Sequence, residues 1–240
     1  KGYTLGNYIL YALSDMEQSQ YKAIKLMQQL LQTKGNVEPI TLKQTHLKIL
    51  YENGKEVVGQ DKLNDVKWDG SQRIIKASLE PGLKLQKIAF KKIVEADYII
   101  IPPGDLYGSI IVNFLFKDFK KAIIQSKAKI IYVANMFTNY GQTHNYKLSD
   151  HITDLQKYLH KDINAVVANK INFTKKDIDY YRKQKSIPVK IDKNNIKCKL
   201  LVKDLLSSRT IVQDENDKIK RSILRHSSLK LKKHLLSLLL

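Results

Sequence analysis

The chain has 240 residues, 43% of them hydrophobic, which is enough to bury one α/β core but short of what two full domains need. No apolar run approaches the roughly 18 residues needed to cross a bilayer, and Lys1 opens no leader-like segment, so a cytoplasmic protein is expected. The formal net charge of +19 raises nucleic acid as a partner, yet of 42 basic residues only Arg73, Arg182, Arg209, Arg221 and Arg225 are arginine, and the lysines are scattered, which predicts a solvated basic surface.

Ala23, Ile24, Met27, Leu30 and Leu31 recur at helical spacing, with Ser19 placed to cap that helix. Beyond Gly35 the pattern changes to extended runs at 37–42 and 46–51, and Asn53-Gly54 predicts a hairpin into the run at 56–59. The stretch 73–79 reads as another strand. Residues 36–80 are therefore expected to form a small antiparallel insertion within a larger α/β unit.

From Pro81 onward the pattern alternates. A helix at 84–95 leads to a strand at 98–101, a helix at about 109–125 and a strand at 129–134. A helix at 150–160 and a strand at 165–168 follow. Such alternation predicts an α/β fold with a parallel sheet between helical layers. The runs at 98–101 and 130–133 are apolar throughout, as strands covered on both faces are. The polar segment 213–221 is expected to form a loop, and 222–240 to end in an amphipathic helix carrying Leu231, Leu235, Leu238 and Leu239. The lone cysteine, Cys198, permits neither a disulfide framework nor a thiolate metal site.

Ligands of open parallel sheets bind beyond the carboxyl ends of the strands, so the segments after Ile101 and Ala134 are where a site is expected. The first reads Pro102-Pro103-Gly104-Asp105-Leu106-Tyr107-Gly108-Ser109. It suits an anion held by glycine-permitted backbone approach and a helix N-terminus, and equally an ordinary turn capped by Ser109. The second, Asn135-Met136-Phe137-Thr138-Asn139-Tyr140-Gly141-Gln142-Thr143-His144, carries uncharged groups able to read a base edge or sugar hydroxyls, and equally suits a turn-rich connector. Ser149-Asp150-His151 opens the next helix, with Ser149 a candidate cap and Asp150 complementing the dipole.

Five motifs together carry a resemblance: Leu5-Gly6-Asn7-Tyr8-Ile9-Leu10, Pro103 through Ser109, Asn135-Met136-Phe137-Thr138 with Gly141-Gln142-Thr143, Leu148-Ser149-Asp150-His151, and Arg225-His226. In order and spacing the chain resembles the YvcK-type gluconeogenesis-factor branch of the CofD-like family over essentially its whole length.

The resemblance implies one Rossmann-like three-layer domain over 1–240 and a UDP-sugar ligand, such as UDP-N-acetylglucosamine. It also implies a bacterial regulatory role in carbon flow and cell shape. The ligand-binding residues it implies are Asn7, Gly104, Asp105, Leu106, Tyr107, Ser109, Asn135, Thr138, Gly141, Thr143 and Asp150, with no metal. The competing branch transfers phospholactate to a deazaflavin with Mg2+, for which only Asp105 and Asp150 are candidate ligands here. Assembly into a homo-oligomer stays open. Family members begin with a strand and a Gly-Gly-Gly-Thr-Gly loop ahead of the Gly-Asn motif. This sequence lacks them, and it has Pro102 and Ser227 where the family has glycine and aspartate. A fragment or a decayed copy with weakened affinity is therefore expected.

Overall fold

The computed structural model describes residues 4–64, 66, 68–208 and 222–239. It opens with two helices, α1 (Leu5–Glu17) and α2 (Gln20–Leu30), joined through Gln18 in the left-handed region at φ 48°. Thr4 and Ser19 cap them, each accepting from a backbone N–H three residues on, as the serine's placement predicts. α1 buries none of its residues and α2 only Ala23.

A three-stranded antiparallel sheet follows in the order β2-β1-β3, built from β1 (His46–Tyr51), β2 (Glu56–Val58) and β3 (Ile74–Glu80). The Asn53-Gly54 turn joins β1 to β2, with Gly54 at φ 80°, where a side chain would be strained. Alternation along β1 turns Leu47, Ile49 and Tyr51 inward. The expected extended run at 37–42 is not a strand: Val37 instead bonds to the Gln28 side chain, so α2 takes up its backbone. A short helix, α3 (Gln60–Asn64), sits between β2 and β3.

The main sheet is parallel and runs in chain order: β4 (Tyr98–Ile101), β5 (Lys129–Val133), β6 (Ala165–Asn169) and β7 (Lys199–Lys203). It shares one sheet between the two apolar runs, as their composition predicts. Between the strands lie α5 (Phe119–Gln125), α6 (Leu148–Leu159) and α7 (Lys175–Arg182), with α4 (Lys87–Glu95) ahead of β4. The helix expected over about 109–125 is broken. Leu106–Ile110 forms one π turn, Ile111–Phe114 a 3-10 turn, and only α5 is α-helical.

The two faces of the sheet bury different side chains, and this layering makes the fold three-layered. Ile130, Tyr132 and Val166 pack with α5, α6 and the inward face of the antiparallel sheet. Ile131, Val133 and Val167 pack on Leu205 and on α8 (Ser228–Leu239), through the predicted Leu231, Leu235, Leu238 and Leu239. The antiparallel sheet is tied to α6 at three points. Ala77 donates its N–H to Tyr158, Lys157 reaches the Ile75 carbonyl, and Arg73 pairs with Asp150 at 2.7 Å. Among the described residues no helix is long and apolar enough to cross a membrane. The loop expected at 213–221 lies outside the described residues.

Candidate functional site

A cleft of about 990 Å³ opens at the carboxyl ends of β4 and β5. Gly104 and Asp105 form part of one wall and 135–140 part of another, so the two loops singled out in the sequence face one common space. Adjacent parallel strands deliver them side by side. Hydrogen bonds then lock them together.

The Asn135 side chain clamps Gly104 on both sides, its Oδ1 accepting from the Gly104 N–H at 2.9 Å and its Nδ2 donating to the Gly104 carbonyl at 2.7 Å. Asn139 Nδ2 donates to Asp105 Oδ1 at 2.9 Å. Deeper down, Gln142 Oε1 accepts from the N–H groups of both Tyr107 and Gly108. Behind the loops, the Tyr107 and Tyr146 hydroxyls donate to the same Asp154 oxygen, at 2.6 and 2.7 Å. Burial raises both phenols well above their ordinary range, so they stay protonated donors.

The other expected residues occupy a range of positions. Thr138 lines the cleft, but its hydroxyl accepts from the Ile187 N–H at 3.0 Å, and its own N–H pairs with the Ile187 carbonyl. Thr143 is buried, its hydroxyl accepting from the Asn139 N–H at 2.8 Å. Gly141 sits beneath the loop at φ 91°, its carbonyl accepting from the Tyr51 hydroxyl, and an added Cβ would stand 2.5 Å from Val66 Cγ2.

Leu106 and Tyr107 are core residues at 1% exposure. Ser109 is exposed inside the π turn, and Asn7 is exposed on α1. Neither predicted serine caps its helix. Asp105 precedes the π turn, and α6 starts one residue before Ser149, whose hydroxyl donates to Asp192 at 2.6 Å. Asp150 accepts from the Lys147 N–H at 2.8 Å as well as from Arg73 and does not line the cleft.

The structure also adds residues that the loop reading missed. Backbone bonds from Met136 and Thr138 to 187–189 extend the second loop into a strand-like wall that carries Gln184 and Ser186. Tyr181 stacks on Phe137 at 3.9 Å, and its hydroxyl meets Ser222 Oγ at 2.7 Å and accepts from the Leu224 N–H. That places Leu224, Arg225 and His226 on the far wall. Arg225-His226 was the one signal in the sequence for this wall; the remainder depends on contacts more than 40 residues apart.

At the rim, hydrogen bonds from Ser71, Gln72 and Tyr140 hold the Asp69 carboxyl at about 2. Lys185 lies 4.3 Å over the Tyr140 ring. Asp105 is the only carboxylate among the described residues lining the cleft.

The model of the family described as 2-phospho-L-lactate transferase CofD matches residues 1–206. The chain belongs to the CofD family. Within it, the chain is 36% identical over 231 residues to a Thermotoga maritima protein named "Putative gluconeogenesis factor", covering 96% of this chain and 71% of that one. A protein of the same name from Thermoanaerobacterium thermosulfurigenes is 32% identical, covering all of this chain and 72% of its own length. Two solved structures from Bacillus halodurans, one of them titled as a member of the UPF0052 family, superpose with TM-scores of 0.85 and 0.84 at 24% identity. They cover 98% of this CofD-family chain and 73% and 72% of their own, and they establish the shared fold.

Proposed function

We propose that this CofD-family chain binds a nucleotide sugar of the UDP-N-acetylglucosamine type in the cleft at the ends of β4 and β5, and that it acts as a regulator of carbon flow and cell shape without turning its ligand over. The observation that carries the reading is the cross-linked pair of loops. Asn135, Asn139 and Gln142 tie the second loop to Gly104, Asp105 and the turn after them, and this pre-organises a cleft of the size that takes a nucleotide sugar. The chain's likeness over most of its length to proteins named as gluconeogenesis factors supports the regulatory half.

The donor set disfavours the transferase alternative. Chemistry on a diphosphate with Mg2+ calls for several oxygen ligands, and among the described residues Asp105 is the one carboxylate on the cleft wall while Asp150 is taken up by Arg73 and its helix start. Calorimetry of this chain with UDP-N-acetylglucosamine, UDP-glucose, GDP and a random oligonucleotide tests the reading, with the UDP-sugars expected to bind most tightly and to be recovered intact. A preference for GDP with Mg2+-dependent product release would move the chain to the transferase branch. Oligonucleotide binding that survives high salt would favour a nucleic-acid role, since purely charge-driven binding fades steeply with salt.

A further inference from the structure

Most polar groups of the loop after β4 are spent inside the chain. The Gly104 N–H donates to Asn135 Oδ1, the Tyr107 and Gly108 N–H groups share Gln142 Oε1 at 3.1 and 3.2 Å, and the Ser109 N–H donates to the Asp105 carbonyl at 2.8 Å. A helix start offers such N–H groups to an anion, and here the amide oxygen of buried Gln142 already takes two of them. A phosphate entering this turn would have to displace bonds that hold the two loops together.

The Asp105 carboxylate is the exception. Its Oδ1 accepts from Asn139 Nδ2 at 2.9 Å, while its Oδ2 accepts no hydrogen bond from the described residues. The side chain precedes the π turn but does not cap it. It is half-buried on the cleft wall, and Oδ2 is not one of the buried side-chain atoms that lack a partner. Oδ2 therefore stays open to solvent, on a side chain that lines the cleft.

The bond to Asn139 sets the direction of the carboxylate, which makes Oδ2 a preset acceptor. A carboxylate has no proton to give, and at short range it repels a phosphate. Arg225, the only lysine or arginine among the described residues lining the cleft, stands on the far wall. The two walls thus differ in the sign of their charge.

We propose that Asp105 is a specificity-determining residue of the cleft: Oδ2 accepts a hydrogen bond from a hydroxyl or N–H of the ligand's uncharged part, and the diphosphate lies away from the loop after β4. The inference rests on the nucleotide-sugar reading above and adds to it which part of the ligand this loop meets. Of the two readings that the sequence left open for the turn, it sides against the anion.

The experiment is calorimetry on the whole chain and on Asp105→Asn, with UDP and with UDP-N-acetylglucosamine, each in EDTA and in Mg2+. In the variant the amide oxygen keeps the bond from Asn139 and the NH2 group takes the place of Oδ2, so that a donor faces the ligand's donor. The unfolding midpoint is expected to stay in place. Affinity for UDP-N-acetylglucosamine is expected to fall by about tenfold or more, equally with and without Mg2+. A loss shared with UDP puts the donor on the nucleoside, and a loss confined to the full ligand puts it on the sugar. Asp105→Ala, which removes the acceptor without adding a donor, is expected to weaken the same ligand too.

Unchanged or tighter binding by Asp105→Asn would overturn the inference, tighter binding being what a phosphate beside residue 105 produces. So would an affinity of the natural chain that depends on Mg2+ and loses that dependence in the variant, since Asp105 would then hold the cation. Absence of any nucleotide-sugar binding by the natural chain would instead sink the functional reading and take this contact with it.

Discussion

The loops after β4 and β5 and the helical pair at the start of the chain both carry motifs that drew notice in the sequence, yet they are integrated into the molecule very differently. In the loops nearly every polar side chain is spent on another part of the chain: Asn135 on Gly104, Asn139 on Asp105, Gln142 on Tyr107 and Gly108. In α1 and α2 one residue, Ala23, is buried, and Tyr8 and Tyr11 stand 58% and 76% exposed. A motif therefore says where chain chemistry is concentrated. Only packing tells whether it holds a shape or presents a surface.

The sharpest way to break this contrast is Gly141→Ala. The positive φ and the 2.5 Å approach to Val66 predict a loss of about 3 kcal/mol or more, read as a lower denaturant midpoint. A neutral outcome would mean that the loop is not rigid. Asn135→Ala is expected to cost about 2 kcal/mol, because it strands both backbone groups of Gly104. Asp154→Ala removes the shared acceptor of Tyr107 and Tyr146 and should cost a similar amount, about 2 kcal/mol, with chemical unfolding as the measure.

A smaller effect follows pH. The His226 imidazole sits at about 4 in the folded chain, against about 6.5 when unfolded. The unfolded chain thus binds a proton that the folded chain refuses, so this contribution is intact above about 6.5 and is lost progressively as pH falls toward 4. His226→Gln should flatten that part of the stability profile, and an unchanged slope would contradict the buried neutral ring. The smallest change belongs to the helical pair: Asn7→Ala on exposed α1 is expected to stay within about 0.5 kcal/mol, and a larger loss would show that α1 is covered in solution.

Sequence pattern alone was enough to place three of the four parallel strands, β7 being the one it missed, together with the Asn53-Gly54 hairpin, the Ser19 cap and the shared location of the two loops, because each follows from short-range periodicity or from where adjacent strands must end. It was also enough for the family resemblance, since ordered motifs survive without knowledge of their contacts. The tertiary structure decided what the side chains do.

Ser109 and Ser149 lost their expected capping roles because a π turn begins at Leu106 and α6 begins two residues early, boundaries that coincide with buried Leu106, Tyr107 and Leu148. Thr138 and Thr143 proved to be held by backbone groups, and the far wall of Tyr181 and Leu224 came from pairings more than 40 residues apart. Local sequence constrains turns and faces. Which hydroxyl is already taken depends on long-range packing, and no window of neighbouring residues contains that information.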